Sequence, residues 1–326
     1  MTNSALKFVP VFFVSLIFIF NDSNSIAKGA DKKETLNVLF IGNSYTARHK
    51  LAQVVKKMAE AGNPSLTFNP TTVIYGGRRL VDHWNLGTQN YVKLHALTRA
   101  EQEETIAELE KAAKDPKNRY AKGALARHRK LLTNFESQRT KWDVVILQSY
   151  RDDLKGKDSL YAEYAPRFVA LAKTQNARVI LYETTPKTQN AKPLKTPPEK
   201  ESVLKKAGEI AALAKQLDIT AAPMSLVGLN CQTERPDFTL RFVNDAHLNQ
   251  TMAYLTACTL YAALFDRSPE GLPVDSITDI RFFNNKDRNK DRDGKPITTT
   301  FSKKDRSDLQ RIAWESYQQF KILRDK

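Results

Sequence analysis

The feature that most constrains this chain is residues 36–46, LNVLFIGNSYT, an apolar run that stops at Gly42-Asn43-Ser44. Val38, Leu39, Phe40 and Ile41 are too few for a helix and apolar on both faces, the pattern of a strand buried inside a parallel sheet. Gly42 at its carboxyl end lets the chain turn sharply, and residues 51–61 then take up helical spacing. Ser44 therefore falls in a strand-to-helix turn, where open α/β sheets bind ligands. A serine in that position either caps the following helix or presents its hydroxyl beside amides that stabilise a developing oxyanion.

The rest of the chain repeats strand and helix. Residues 66–74, 144–147, 179–182 and 219–224 predict strands, residues 161–173 and 199–217 predict helices, and residues 81–97 are irregular or helical. This alternation predicts an α/β fold, a parallel sheet covered by helices on both faces as a three-layer sandwich. Residues 98–141 break the rhythm. They are long and charged, with Asp115-Pro116-Lys117-Asn118 as a turn between two helix-like halves, and predict an inserted helical hairpin, either a lid or a solvated decoration.

At the amino end, Lys7 precedes an apolar block over residues 8–20, followed by polar residues and Ser25-Ile26-Ala27. The block is short for a membrane span and the small residues suit signal peptidase, which predicts an export signal over residues 1–27 and a secreted or periplasmic location. An uncleaved anchor is the rival. Residues 28–326 contain no repeat or linker and are expected to form one domain. The formal net charge is +15, and cleavage would leave it unchanged because Lys7 and Asp22 cancel. Such a surface favours acidic partners. No nucleic-acid-binding module is recognisable, so the expected partner is an acidic polysaccharide or an anionic envelope rather than nucleic acid. Export would permit a disulfide between Cys231 and Cys258, although Cys258 lies on an apolar helix and suits the core equally well.

Residues 242–249, FVNDAHLN, precede a strongly helical run over residues 254–265. His247 is thus placed in a loop or first helical turn, either to accept a serine proton, with a neighbouring carboxylate fixing its tautomer, or simply to cap the helix. With Ser44 and His247 together, the chain resembles the SGNH or GDSL esterases and lipases. Gly42-Asn43-Ser44 corresponds to their first block, Gly77 in Tyr75-Gly76-Gly77-Arg78-Arg79-Leu80 to the glycine after the second strand, and His247 to the terminal Asp-x-x-His. The likeness covers residues 36–265.

Two positions depart from that family. Where its third block has Gly-x-Asn-Asp, this chain has Leu147-Gln148-Ser149-Tyr150. Three residues before His247 stands Asn244, and the nearest carboxylate is Asp245. The resemblance implies a flavodoxin-like SGNH fold and an ester hydrolase without metal or organic cofactor. In it Ser44 attacks, His247 moves the proton, and the amides of Ser44 and Gly77 with Gln148 hold the oxyanion. Asp245 orients His247, unless Asn244 or the backbone does so. Arg78 and Arg79, with His83 and Trp84 one turn on, are candidates for binding an anionic sugar. An O-acetyl carbohydrate ester is the leading substrate expectation. A lipase, or a catalytically impaired glycan-binding protein, is the alternative.

The polar stretch over residues 284–301 includes Asp287-Arg288-Asn289-Lys290-Asp291-Arg292-Asp293-Gly294, whose alternating oxygens resemble the start of a calcium loop. Counting from Asn289, the twelfth position is Thr300 rather than glutamate, and the interleaved Arg and Lys oppose a cation. A solvated polar loop is the expectation. Ser302 and Asp305 then cap a last helix with an apolar stripe of Leu309, Ile312, Ala313, Tyr317 and Phe320.

Overall fold

The computed structural model describes residues 34–148, 150, 160–184, 189–280 and 287–326. The expected export signal and Ser149 of the third block lie outside them. Among the described residues, no helix is long and apolar enough to cross a membrane.

In chain order the elements begin with β1 (Glu34–Gly42), α1 (Ser44–Ala47), a 3-10 turn (Arg48–Lys50), α2 (Leu51–Gly62) and β2 (Leu66–Ile74). Next come α3 (Leu80–Asn85), α4 (Thr88–Val92), α5 (Arg99–Ala113), α6 (Arg119–Thr133), α7 (Phe135–Gln138) and β3 (Val144–Gln148). The second half contains α8 (Leu160–Lys173), β4 (Arg178–Glu183), α9 (Glu201–Gln216), β5 (Thr220–Pro223), α10 (Met224–Glu234) and α11 (Gln250–Phe265). A small ribbon of β6 (Ser276–Thr278) and β7 (Thr298–Thr300) precedes α12 (Lys303–Asp325).

β1 to β5 form one parallel sheet in the order β2-β1-β3-β4-β5. Because β1, β3 and β4 carry apolar residues on both sides, successive residues feed two cores. Val38 and Phe40 of β1, with Val144, Ile146 and Ile180, face the layer built by α2, α10, α11 and much of α12. Leu39 and Ile41, with Val145, Leu147 and Leu181, face the layer of α3, α4, α8 and α9, to which the insertion adds α5 and α6. The result is an α/β three-layer sandwich. Its strand order reverses at β1, between β2 and β3, so the ligand-binding crevice of such a sheet lies outside the carboxyl ends of β1 and β3. β2 is an edge strand, which is why it tolerates Pro70 in its middle.

The sequence foresaw these strands to within a residue or two, but α10 follows β5 directly, where only a strand was expected. Cys231 and Cys258 are both buried free thiols, so the possible disulfide is not formed. Ser302 caps α12 as expected, its Oγ accepting from the Asp305 N–H at 3.1 Å.

The insertion packs against the body of the domain through buried polar contacts. Gln102 of α5 donates through Nε2 to the His128 carbonyl of α6 at 2.9 Å, and its Oε1 accepts from Asn90 of α4 at 3.0 Å. His128 Nε2 lies 3.1 Å from the Leu86 carbonyl. These buried polar contacts lock the hairpin onto the segment that follows β2.

Burial leaves its mark on titration. Desolvation pushes both His83 and His128 down to about 4 from an ordinary 6.5. Both rings are therefore neutral in the folded chain, whereas the unfolded chain takes up protons on them below pH 6.5. Stability from these groups is complete above pH 6.5 and falls as pH drops toward 4, with a slope of up to about 1.4 kcal/mol per pH unit for each histidine. Urea denaturation between pH 7 and 4 is expected to show this loss, and His128→Gln to reduce the slope. An unchanged slope in that variant would exclude His128 as a source.

Candidate active site

The turn after β1 is shaped by one close approach. A Cβ on Gly42 would collide with Gln148 Oε1 and Thr46 Oγ1, so only glycine lets the end of β3 meet the end of β1. Asn43, not Ser44, is the N-cap of α1, its Oδ1 accepting from the Tyr45 N–H at 3.1 Å. Ser44 is the first residue of that helix, where the N–H has no partner within the helix and is available to a ligand.

Ser44 Oγ stands 2.8 Å from His247 Nε2. His247 Nδ1 contacts Asp245 Oδ1, and the same carboxylate oxygen accepts the His247 backbone N–H at 3.0 Å. An aspartate accepting the N–H two residues on is an Asx-turn, and it is this turn that lets a spacing of two bring the carboxylate under the ring. Asn244 faces away. Its N–H and its Nδ2 lie 3.1 and 3.4 Å from Asp293 Oδ1, so its side chain is directed to the polar loop rather than to His247.

The second oxygen of Asp245 meets two guanidinium groups. Arg48 Nη2 lies 3.5 Å from Asp245 Oδ2, and Arg292 Nη1 contacts the same oxygen. Arg292 also reaches the buried Asp279 through Nε at 3.4 Å. His49 completes the underside, with Nε2 at 2.9 Å from the Leu248 carbonyl, tying the turn after α1 to the His247 loop. To reach these partners the backbone passes through left-handed conformations at both His49 and Lys50, with φ of 57° and 51°. Burial and the Arg48 guanidinium push His247 down to about 4. Asp245, its charge shared with two arginines, does not reverse this. Burial conversely raises Asp279 to about 6.

Arg292 is the residue that the sequence did not single out. It lies in the stretch expected to be a solvated polar loop, yet its side chain is only 6% exposed. The carboxylates around it hold the loop itself. Asp291 accepts the N–H groups of Asp293 and Lys295, each at 2.9 Å, and among the described residues no cluster of side chains suits a metal ion.

Several expected site residues have other roles. Gln148 ties the ends of β1 and β3 together. Its Nε2 donates to Asn43 Oδ1 at 2.7 Å, and its Oε1 accepts from Asn43 N, Thr46 N and Thr46 Oγ1 at 2.9, 3.2 and 2.6 Å. His83 is no substrate ligand either. It is buried between the Gly42 carbonyl and Thr88 Oγ1, each 3.0 Å away, because α3 turns it inward. Trp84 packs edge-on against Phe168, with ring centroids 5.2 Å apart. The Arg79 backbone N–H donates to the Asp82 carboxylate at 2.8 Å, and its half-exposed guanidinium lies 3.5 Å from the same oxygen through Nε. Gly77 lies in an exposed turn with φ of 65°, and Asn43 Nδ2 donates to the neighbouring Arg78 carbonyl at 3.1 Å, which draws that loop to the Ser44 turn.

No family profile matches the chain, and no curated protein does. Among solved structures, it overlaps a DUF4886 family protein from Bacteroides uniformis ATCC 8492 at 16% identity, covering 87% of this chain and 95% of that one, with a TM-score of 0.48. It overlaps a candidate SGNH hydrolase from Slackia heliotrinireducens at 17% identity, over 71% of this chain and all of that one, with a TM-score of 0.40. A gut microbial diltiazem-metabolizing enzyme overlaps at 13% identity over 72% of this chain and 47% of that one, with a TM-score of 0.35. The functional reading below rests on the geometry of the site.

Two outcomes follow from that geometry. On a small acetyl ester, Asp245→Ala is expected to lower turnover about a thousandfold or more, through loss of the correct tautomer, and Asn244→Ala to have a mild effect. Arg292→Met, which loosens Asp245 without removing it, should fall between them at about 10- to 100-fold. Near-parent turnover of Asp245→Ala across neutral pH would overturn the assignment. The second outcome concerns pH. A base must be neutral to accept a proton, so kcat/KM should hold from neutral pH down to about 5 and decline as His247 protonates near 4. Arg48→Met removes a cation that disfavours the imidazolium and should shift this acid limb to higher pH. A limb that stays in place would show that Arg48 does not act on His247.

Proposed function

We propose that this chain is a serine ester hydrolase of the SGNH type, which removes small acyl groups, acetyl foremost, from a carbohydrate outside the cytoplasm. The observation that carries the reading is the contact of Ser44 Oγ with His247 Nε2 at 2.8 Å, with Asp245 on the other ring nitrogen. A hydroxyl in a strand-to-helix turn, a neutral imidazole and a buttressed carboxylate are the parts of a nucleophilic relay.

In the reaction, Ser44 Oγ attacks the acyl carbon while its proton passes to His247 Nε2. The imidazolium so formed is compensated by Asp245. Negative charge on the acyl oxygen is met by the N–H of Ser44 and that of Gly77. Collapse breaks the bond to the alcohol oxygen, which leaves with the proton from His247. Water then attacks the acyl-serine, again giving its proton to His247, and the acid departs as Ser44 regains its hydrogen. The charge of +15 favours capture of acidic substrate.

Ser44→Ala should reduce hydrolysis of a chromogenic acetyl ester by about four to six orders of magnitude, with the fold, followed by circular dichroism and melting, unchanged. Equal turnover in parent and variant would exclude Ser44 as nucleophile. No turnover in either, together with retained glycan binding, would indicate a binding protein.

A further inference from the structure

Three arginines converge on the loop that carries Gly77. The guanidinium carbons of Arg78 and Arg119 lie over the Tyr120 ring, 4.4 and 5.0 Å from its centre. The Tyr120 hydroxyl donates to the Gly76 carbonyl at 2.7 Å and accepts from Arg119 Nη2 at 3.1 Å. Deeper in, Arg127 sits 5.0 Å from the centre of the Tyr75 ring, with Nη2 3.5 Å from the Ile74 carbonyl. Among the described residues, the contacts of these three guanidinia are to rings, a phenol and a backbone carbonyl, and none forms an ion pair with a carboxylate.

Other arginines, such as Arg129, Arg167 and Arg311, are each paired with a glutamate. The cluster of three is also incomplete internally. Arg78 Nε and Arg127 Nη1 are buried without a hydrogen-bond partner, as is the hydroxyl of Tyr75. Unfilled buried donors of positive charge, held by aromatic rings at the edge of an exposed loop, suit a ligand with a planar anionic group, for which guanidinium is the matching donor. The position is fixed relative to the nucleophile, since Asn43, beside Ser44, holds the Arg78 carbonyl.

We propose that Arg78, Arg119 and Arg127, arranged around Tyr120 by the insertion, form a subsite for a carboxylate on the substrate, so that the preferred ester is an O-acylated acidic glycan. The catalytic role of Ser44 is a premise of the substrate half of this statement. The anion subsite itself stands independently of it.

Two experiments separate the parts. The first compares kcat/KM on 4-nitrophenyl acetate with that on O-acetylated polygalacturonate, for the parent and for R119Q, R127Q and the double variant. The ratio of acidic to neutral substrate should fall by about tenfold for the double variant, mainly through KM, and the parent's ratio should decline with added salt. Losses that are equal on both substrates, or a ratio insensitive to salt, would overturn the subsite. The second uses Ser44→Ala and an unacetylated galacturonate oligomer, with the uncharged galactose oligomer as control. Binding of the acidic oligomer, weakened about tenfold by R119Q with R127Q, supports the subsite even if no ester is hydrolysed. Equal binding of the two oligomers would overturn it. Activity on the neutral ester with no preference for the acidic one would leave the esterase reading intact and refute the subsite alone.

Discussion

The site depends on the paired carboxamides of Asn43 and Gln148. Gln148 closes β3 and Asn43 follows β1; the Asn43 backbone N–H donates to Gln148 Oε1 at 2.9 Å and Gln148 Nε2 donates to Asn43 Oδ1 at 2.7 Å. Gln148 Oε1 also takes the N–H and hydroxyl of Thr46, while Asn43 reaches across to the Arg78 carbonyl beyond β2. Three neighbouring strand ends are thereby held in register by two side chains. Both are buried, so loss of either would strand donors and acceptors away from water at about 1–3 kcal/mol each. Ser44 lies inside this clasp. Its direction is a consequence of the polar pairing beneath it, and Gly42 is required because the pairing leaves no space for a Cβ.

The opposing side of the site is governed by charge. An imidazole that accepts a proton needs an anion beside it, but a carboxylate buried without partners would itself take up a proton. Asp245 meets Arg48 and Arg292, far apart in the chain. The same arginines sit against Asp279, where desolvation outweighs the neighbouring cations and favours the neutral acid. Burial, with the Arg48 guanidinium beside it, holds the His247 ring neutral at rest, and Asp245 becomes most effective only when the imidazolium forms. Such an interaction, stronger in the charged state than at rest, is the kind that accelerates a reaction.

The sheet was legible in the sequence because burial on two faces leaves unbroken apolar runs, as in β1, β3 and β4. The turn at Ser44 was legible for the same reason, being the end of such a run. What could not be read locally was set by tertiary contact. Asn244 is drawn from His247 by Asp293, 49 positions away, while Asp245 reaches the ring through its local Asx-turn. His83 and Trp84 follow two arginines and resemble a binding surface, yet α3 turns one under β1 and the other onto α8. Arg292 is hidden among alternating charges, and its partner is 47 positions away. The only local sign was that a solvated loop has no need for so many aspartates, which here accept backbone N–H groups and shape the loop that delivers the arginine.

The inserted hairpin completes the argument about position. Gly76 and Gly77 face open space, for a Cβ at either residue would meet nothing within 4 Å. A loop so open gains amide access to a substrate but loses order, and order is what an oxyanion donor requires. Two tethers supply it: Asn43 from the β1 turn and the Tyr120 hydroxyl from α6. The insertion lies between β2 and β3, at the place where the strand order reverses, so it can stiffen this loop without touching the sheet's own pairing. Its outer residues, under the proposed function, are placed to meet the part of the substrate beyond the ester bond. A single added hairpin can therefore contribute rigidity to the catalytic edge and charge to the substrate path, with the hydrogen bond at Gly76 joining the two effects.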